Sequence, residues 1–317
     1  MARVGRLNIL ISRLSALGDT VCTLPVATAL KKQFPESSIT WVVDPRFAGI
    51  VECCSAVDKV ITCKPSWSLS SLPTFDAPFD VALDMQGLSK SALVVWRARS
   101  KIKLGYHWQR EVAPLFSRAV LPDPTSLHVV DQYLDVARAA GAESEVAEFG
   151  LAPLDADRDI MQGLLKSSGV AGPFVLMNAG AGWASKRWDP SSFATLAEML
   201  SLKGIQSVLI GGRATADIEA ADQVVSASPV PVVNLLGKTS VRELVALVSL
   251  CNAHVGGDTG STHIAAALGV PAVGLYSITK PARSCPYGQI HHCHYSEVGL
   301  TEIMPGDVYK TCWEAMV

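Results

Sequence analysis

The sequence predicts an α/β protein of two Rossmann-like domains, each a doubly wound parallel sheet, whose strand C-termini face a shared cleft. Three observations predict it. Short apolar runs alternate with segments of helical periodicity along the whole chain, the pattern of parallel strands joined by crossover helices. Hydrophobic residues make up 49% of the chain and charged residues only 18%, which suits strands buried on both faces. The 317 residues exceed what one core usually serves, and the alternation stops and restarts midway. Domains are therefore expected at 1–150 and 151–317.

In the first half, the apolar run Leu7–Ser12 predicts a strand, followed by a loop that ends in Gly18-Asp19. Thr20–Phe34 repeats apolar residues at helical spacing, and Pro35 closes that helix. Ile39–Val43 is a second strand, Phe47–Cys53 a short helix and Val60–Ile61 a brief strand. Asp80–Asp84 is another strand, followed by a helix from Ser89 to Arg99 and the extended segment Lys103–Tyr106. His128–Ala140 is helical and ends at Gly141, a residue suited to a C-cap. Ala147–Asp159 lacks periodicity, carries proline and aspartate, and is expected to be the linker.

The second half begins with a helix at Ile160–Ser167 and the strand Phe174–Asn178. The loop Ala179–Trp188 leads to the helix Pro190–Leu202, and the strand Ser207–Ile210 stops at Gly211-Gly212. Val232–Asn234 is short and extended, Val241–Cys251 helical, and Ala253–Val255 a strand stopping at Gly256-Gly257. The helix Thr262–Leu268 and the strand Ala272–Tyr276 follow. A last helix, Pro305–Met316, is expected to pack back on the N-terminal domain.

Several function classes are excluded. A net charge of −2 argues against a nucleic-acid binder. The eight cysteines form no CxxC, and the segment Cys285, His291, His292, Cys293, His294 fits no zinc pattern, so no metal is expected. The apolar core of the N-terminus is too short for a signal peptide, and no stretch of about 18 apolar residues occurs. A cytoplasmic protein is expected, resting on the inner leaflet of the membrane at most.

Ligands of open α/β sheets bind at the strand C-termini, and three unusual loops lie there. The first, Ser12 to Thr20, has only Gly18 of a dinucleotide fingerprint, so no such cofactor is expected. Its Asp19 admits two readings: a helix N-cap, or the general base that deprotonates an acceptor hydroxyl. The second runs from Asn178 to Pro190. Its Gly180, Ala181 and Gly182 let backbone amides approach an anion, and Lys186 is a point charge suited to a diphosphate; the alternative is a solvated basic turn. In the third, Val255 to His263, a strand breaks into glycines, presents hydroxyls and opens a helix, a cradle for phosphate. Asp258 there either binds sugar hydroxyls or braces the turn, and His263 either donates to phosphate or packs locally. Arg213, after Gly211-Gly212, is placed to flank a nucleoside. No paired DxD carboxylates suited to a metal–nucleotide complex occur: Asp155-Ala156-Asp157 falls in the polar linker and is read as surface.

These loops resemble those of the family-nine glycosyltransferases, the ADP-heptose:lipopolysaccharide heptosyltransferases. The similarity rests on Ser12…Gly18-Asp19-Thr20, Leu83-Asp84-Met85-Gln86-Gly87-Leu88-Ser89-Lys90-Ser91, Lys186-Arg187-Trp188 and Gly257-Asp258-Thr259-Gly260 with His263. Arg110 to Phe116, with His128, is similar to the heptosyltransferase I branch. The resemblance implies a GT-B fold with an acceptor-binding N-terminal domain and a donor-binding C-terminal domain. It implies Asp19 as general base, Lys186 beside the donor diphosphate, and Asp258, Thr259, Gly260 and His263 on the donor. Ser15, Gly18, Lys90 and Arg110 then belong to the acceptor half, where an anionic Kdo–lipid A head would bind.

The branch carries hydroxyl residues before its lysine, where this chain has Ala181 and Gly182. Asp217 and Glu219 are both candidates for the acid beside the nucleoside. The expected reaction is inverting transfer of a heptose or related sugar from a nucleoside-diphosphate donor, ADP-heptose by resemblance, without metal or cofactor. A nucleotide-sugar epimerase or hydrolase of the same fold, and a non-catalytic sugar or nucleotide binder, are the alternatives. Lys90 and Arg110 count against the first, and Asp19 with Lys186 against the second.

Overall fold

The structure, a computed structural model, describes residues 7–64, 69–180 and 187–317. It divides into two compact units, Met1–Ala152 and Pro153–Val317. The first contains β1 (Asn8–Ser12), α1 (Leu17–Gln33), β2 (Ser38–Val43), α2 (Ala48–Glu52), β3 (Lys59–Thr62), β4 (Val81–Asp84), α3 (Ser89–Arg97), β5 (Ile102–Tyr106), β6 (Arg118–Val120) and α4 (Val129–Ala139). These strands form one parallel sheet in the order β3-β2-β1-β4-β5-β6.

The second unit contains α5 (Asp155–Ser167), β7 (Phe174–Asn178), α6 (Pro190–Ser201), β8 (Gln206–Ile210), α7 (Thr215–Ala227), β9 (Val232–Asn234), α8 (Val241–Leu250), β10 (Ala253–Gly256), α9 (Gly260–Ala267), β11 (Ala272–Tyr276), α10 (Pro281–Ser284), β12 (Cys293–Tyr295) and α11 (Pro305–Met316). Its sheet, again parallel, has the order β12-β11-β10-β7-β8-β9. In each unit the chain winds outward through three strands and then returns to the centre. This leaves a switch point between β1 and β4, and another between β7 and β10. Crevices at such points are where α/β sheets take ligands.

The central strands are apolar on both faces because helices cover both. Ile9, Leu10 and Ile11 of β1 have no exposed surface, nor do Val175, Leu176 and Met177 of β7. Helix starts follow local chemistry: Ser240 and Glu243 form a capping box on α8, and Asp189 with Pro190 opens α6. α11 buries Val308 and Cys312 in the core of its own unit, near Trp188 and Leu300.

Five elements differ from the sequence expectation. α1 starts at Leu17, three positions before Thr20, so Asp19 is a helical residue rather than the N-cap, which is Ala16. α5 starts at Asp155 inside the expected linker, with Asp155 and Asp157 in its first turn, where the helix dipole favours acids. Asp157 is therefore not a surface residue. It is buried and accepts from Nε (2.8 Å) and Nη2 (3.0 Å) of Arg242 on α8.

α7 escaped periodicity because its buried stripe is only Ala220, Ala221 and Val224, while Ile218 and Val225 face outward. β6 and β12 are three-residue edge strands, too short to show alternation.

Candidate functional site

At the N-terminal switch point, β1 ends at Ser12 beside the end of β4 at Asp84. The next residue, Arg13, turns inward and is 4% exposed. Its guanidinium donates to the Met85 carbonyl, lies over the Tyr133 ring (5.2 Å) and places Nη2 2.8 Å from Asp19 Oδ2. Burial works against the arginine's charge, but Tyr133 and Asp19 hold its pKa above the ordinary value. Asp19 itself is half exposed, and its Oδ2 also accepts from Ala16 N at 3.4 Å. A solvent-facing carboxylate anchored from behind by a buried cation is suited to accept a proton from a hydroxyl arriving in front.

The β4 loop is built to hold its neighbour. Asp84 is fully buried, and Oδ1 accepts from Gly87 N (2.9 Å) and Gln86 N (3.2 Å); burial pushes its pKa up. Gln86 Oε1 in turn accepts from Leu14 N (2.9 Å) and Ser15 N (3.3 Å), and its Nε2 donates to Ser15 Oγ (3.3 Å). Gly87 has φ +71°, and a Cβ there would lie 2.9 Å from the Trp108 carbonyl, so only glycine fits. Arg110 N donates to Gly87 O (2.8 Å), and Glu111 accepts from Ser89 N (2.9 Å) and the Ser89 hydroxyl. The Ser89 bonds keep the Glu111 carboxyl below the usual carboxylate range.

A cavity of about 380 Å³ opens here, lined by Ser15, Asp44, Arg46, Lys64, Gln86 and Lys90 among others. The structure thus brings Ser15 and Lys90 together. Gly18 and Arg110 do not line this cavity, and the Arg110 guanidinium stacks over Trp108 at 5.7 Å. Arg46 and Lys64 are additions that sequence reasoning missed. Both lie just past the C-termini of β2 and β3, and that position at a ligand-binding sheet edge was the available signal. Arg46 grips Asp44 through two hydrogen bonds (2.9 and 3.0 Å) and holds that carboxyl below its ordinary pKa.

In the C-terminal unit, Asn178 ends β7 between β8 and β10. Its Nδ2 lies 2.9 Å from Ser261 Oγ and 3.3 Å from Thr259 Oγ1, and its Oδ1 accepts from Gly180 N at 3.1 Å. One side chain therefore ties the second loop to the third. Thr259 is the N-cap of α9 but makes no side-chain cap bond, and Thr262 Oγ1 bonds back to Gly257 O (2.7 Å). The start of α9, with Thr259 and Gly260, has the polarity of an anion site. Below it, His254 is fully buried with Nε2 2.9 Å from Ser261 Oγ. Burial, with a smaller contribution from His263, lowers its pKa to about 3, so the ring is neutral. His263 Nε2 is 3.4 Å from Asp258 Oδ1, so the two expected donor-contacting side chains adjoin.

Asp217 and Glu219, the two candidates for the acid beside the nucleoside, differ in their surroundings. A Cβ on Gly180 would fall 2.6 Å from Asp217 Oδ1, and one on Gly212 would fall 2.9 Å from Oδ2. Asp217 is thus packed against both glycine turns, with Arg187 Nη2 4.0 Å away, while Glu219 is exposed. Arg213 donates from Nε (3.0 Å) and Nη2 (2.7 Å) to the Gly237 carbonyl, which makes it a brace between neighbouring turns. Ala181, Gly182 and Lys186 lie outside the described residues. Just beyond them, Trp188 is buried and donates to Ile303 O (3.0 Å), anchoring the end of that loop.

Among the described residues, no group of three or more His, Cys, Asp or Glu could hold a metal ion, and no helix is long and apolar enough to cross a membrane. In the Cys285–His294 segment, His292 Nδ1 lies 3.1 Å from Gln289 Oε1 and His294 Nε2 3.0 Å from Thr311 Oγ1.

The chain is similar to known glycosyltransferases along most of its length. The chain is 25% identical over 289 residues to the lipopolysaccharide core heptosyltransferase OpsX of Haemophilus influenzae, covering 89% of this chain and 82% of that one. It is 27% identical over 298 residues to lipopolysaccharide heptosyltransferase 1 of Escherichia coli K12, covering 89% and 92%. The E. coli heptosyltransferase WaaC solved with ADP shares the fold with a TM-score of 0.78 at 24% identity, over 98% of this chain and all of that one. Residues 75–302 match the model of glycosyltransferase family 9 (heptosyltransferase). The chain belongs to that family and is a glycosyltransferase of the GT-B fold.

Proposed function

We propose that the protein transfers a heptose from ADP-heptose to an inner-core lipopolysaccharide acceptor, inverting the anomeric centre without a metal. The observation that carries this reading is the Asn178 tie. It joins the glycine loop after β7 to the hydroxyl-lined start of α9, a construction suited to a diphosphate. The relatives' names support the sugar and the acceptor class, and the ADP bound to the E. coli neighbour supports the nucleotide. Asp217, between two glycine turns, is the acid assigned to the nucleoside.

In this mechanism Asp19 takes the proton of the acceptor hydroxyl, whose oxygen attacks the anomeric carbon. The bond to the diphosphate oxygen breaks on the opposite face, and the electron pair leaves with ADP. Lys186 and the start of α9 carry the growing negative charge, a role that needs no cation. The basic cavity of Arg46, Lys64 and Lys90 holds the anionic acceptor. The protein acts at the cytoplasmic face of the membrane that carries this acceptor.

The deciding experiment mixes the protein with ADP-heptose and Kdo–lipid A in EDTA. A heptosylated lipid of inverted anomeric configuration, with ADP released in equal amount, is the expected result. Strict dependence on added magnesium or manganese would refute the metal-free leaving group. Donor consumption at full rate without acceptor would favour a hydrolase.

A further inference from the structure

The region around α3 carries a charge that the rest of the chain does not. Between Lys90 and Arg118 there are seven Lys or Arg and one acid, whereas the whole chain has 27 basic and 29 acidic residues. The one acid, Glu111, is engaged by Ser89 at the start of α3. The crossover from β5 to β6 packs on α3, so both belong to one surface. Apolar side chains stand out of it: Trp96 is 41% exposed, Trp108 50% and Leu115 79%. Leu115 ends a short turn begun by Ala113-Pro114, and Val112 just before it is also exposed. Arg97, Arg110 and Arg118 in the same stretch are exposed as well, and the Arg110 guanidinium lies over the Trp108 ring.

We propose that this face, α3 with the β5–β6 crossover, docks on an anionic phospholipid bilayer. Leu115 and Val112 insert, the tryptophans lie at headgroup depth, and the arginines pair with lipid phosphates. Seven cations to one carboxylate, which Ser89 engages, fit a partner of one fixed sign, as an anionic leaflet is. Exposed tryptophan and leucine among arginines is the composition of an interfacial membrane anchor. A second copy of the chain is a poor occupant, since the face would meet its own charge. Lys90 belongs both to this face and to the basic cavity with Ser15, so docking brings the cavity to the headgroups. In that respect the inference rests on the reading of the acceptor as an anionic glycolipid.

The test is cosedimentation of the full chain with vesicles that contain no glycolipid, either phosphatidylglycerol–phosphatidylethanolamine or phosphatidylcholine alone. Binding to the anionic vesicles at about 0.1 M salt, its loss near 1 M, and little binding to phosphatidylcholine are expected. L115E with V112E should weaken binding at least tenfold. R97Q with R118Q should weaken it about 25-fold, at about fivefold per lost cation. All four positions are exposed, so both variants should melt as the parent does. Both should transfer sugar normally to a delipidated, soluble acceptor while losing transfer to acceptor held in vesicles. Equal binding to both vesicle types, no binding to either, or unchanged binding by both variants would overturn the proposal. So would capture of an acidic protein partner by this face in place of the vesicles. Failure of transfer to the soluble acceptor, with vesicle binding intact, would count against the enzymatic reading alone.

Discussion

Arg13 Nη2 lies 2.8 Å from Asp19 Oδ2, the arginine buried and the aspartate half exposed. The cation is pinned by the Met85 carbonyl and the Tyr133 ring, so it orients the carboxylate rather than following it into solvent. Asp19→Asn keeps the size and the acceptor oxygen facing Ala16 N but removes the proton-accepting charge. Transfer should fall by about 10²-fold or more, the range of a lost general base, with donor affinity little changed. Single-turnover kinetics beside calorimetric donor binding check this. Near-normal turnover would leave Asp19 as a helix-start residue only.

Gly180 and Gly163 make a matched pair of glycine tests. A Cβ on Gly180 meets Asp217 Oδ1 at 2.6 Å, whereas a Cβ on Gly163, inside α5, meets nothing within 4 Å. Gly180→Ala should displace Asp217 and raise the donor KM by tenfold or more. Gly163→Ala should leave kinetics alone and stabilise the fold by about 0.5–1 kcal/mol through helix propensity. Steady-state kinetics and urea titration of both variants measure the two effects, and an unaltered donor KM in Gly180→Ala would remove Asp217 from the donor site.

His254 makes stability depend on pH. Its folded-state pKa is about 3 against an ordinary 6.5, so between these values the unfolded chain takes up a proton that the folded protein excludes. Stability from this group therefore falls as pH drops below about 6.5, by about 2 kcal/mol at pH 5. Urea unfolding at pH 7 and pH 5 should show this loss in the parent and a smaller one in His254→Asn. Equal losses would mean that His254 is not held neutral.

Substitutions at Lys186 and Arg187, adjacent in sequence, should separate two roles. Charge grows on the leaving phosphate oxygen as the sugar departs, so a cation there lowers the barrier more than it aids binding. Lys186→Ala should cut turnover by roughly 10²-fold. Arg187 is 4.0 Å from Asp217, and its loss should act on donor affinity with turnover nearly kept. Comparable turnover losses at both positions would indicate diffuse electrostatic binding with no distinct role for Lys186.

Local chemistry made much of this protein legible. Ile9–Ile11 and Val175–Met177 announce central strands because both faces of a parallel strand are apolar. Gly180 and Gly260 mark turns and a helix start because glycine at a strand end points to close backbone approach. Elements with weak local signals escaped: α7 hides its packing in alanines, and the edge strands β6 and β12 are three residues each. Arg46 and Lys64 escaped as cavity residues, since lone cations after strands carry no periodicity.

The sequence by itself determined the fold class and the family, and it marked the loops proposed to hold the chemistry, because these are written in patterns spanning a few neighbouring residues. Only the tertiary structure decided which side chains face one another across distant loops. It placed Arg13 behind Asp19 while seating Gln86 against Ser15, and it packed Asp217 against Gly180. It joined Asn178 to Ser261 and made Asp157 a buried partner of Arg242. Each of these except the Arg13–Asp19 pair links residues more than 30 positions apart. Such contacts depend on strand order and helix packing, which no local window of sequence contains.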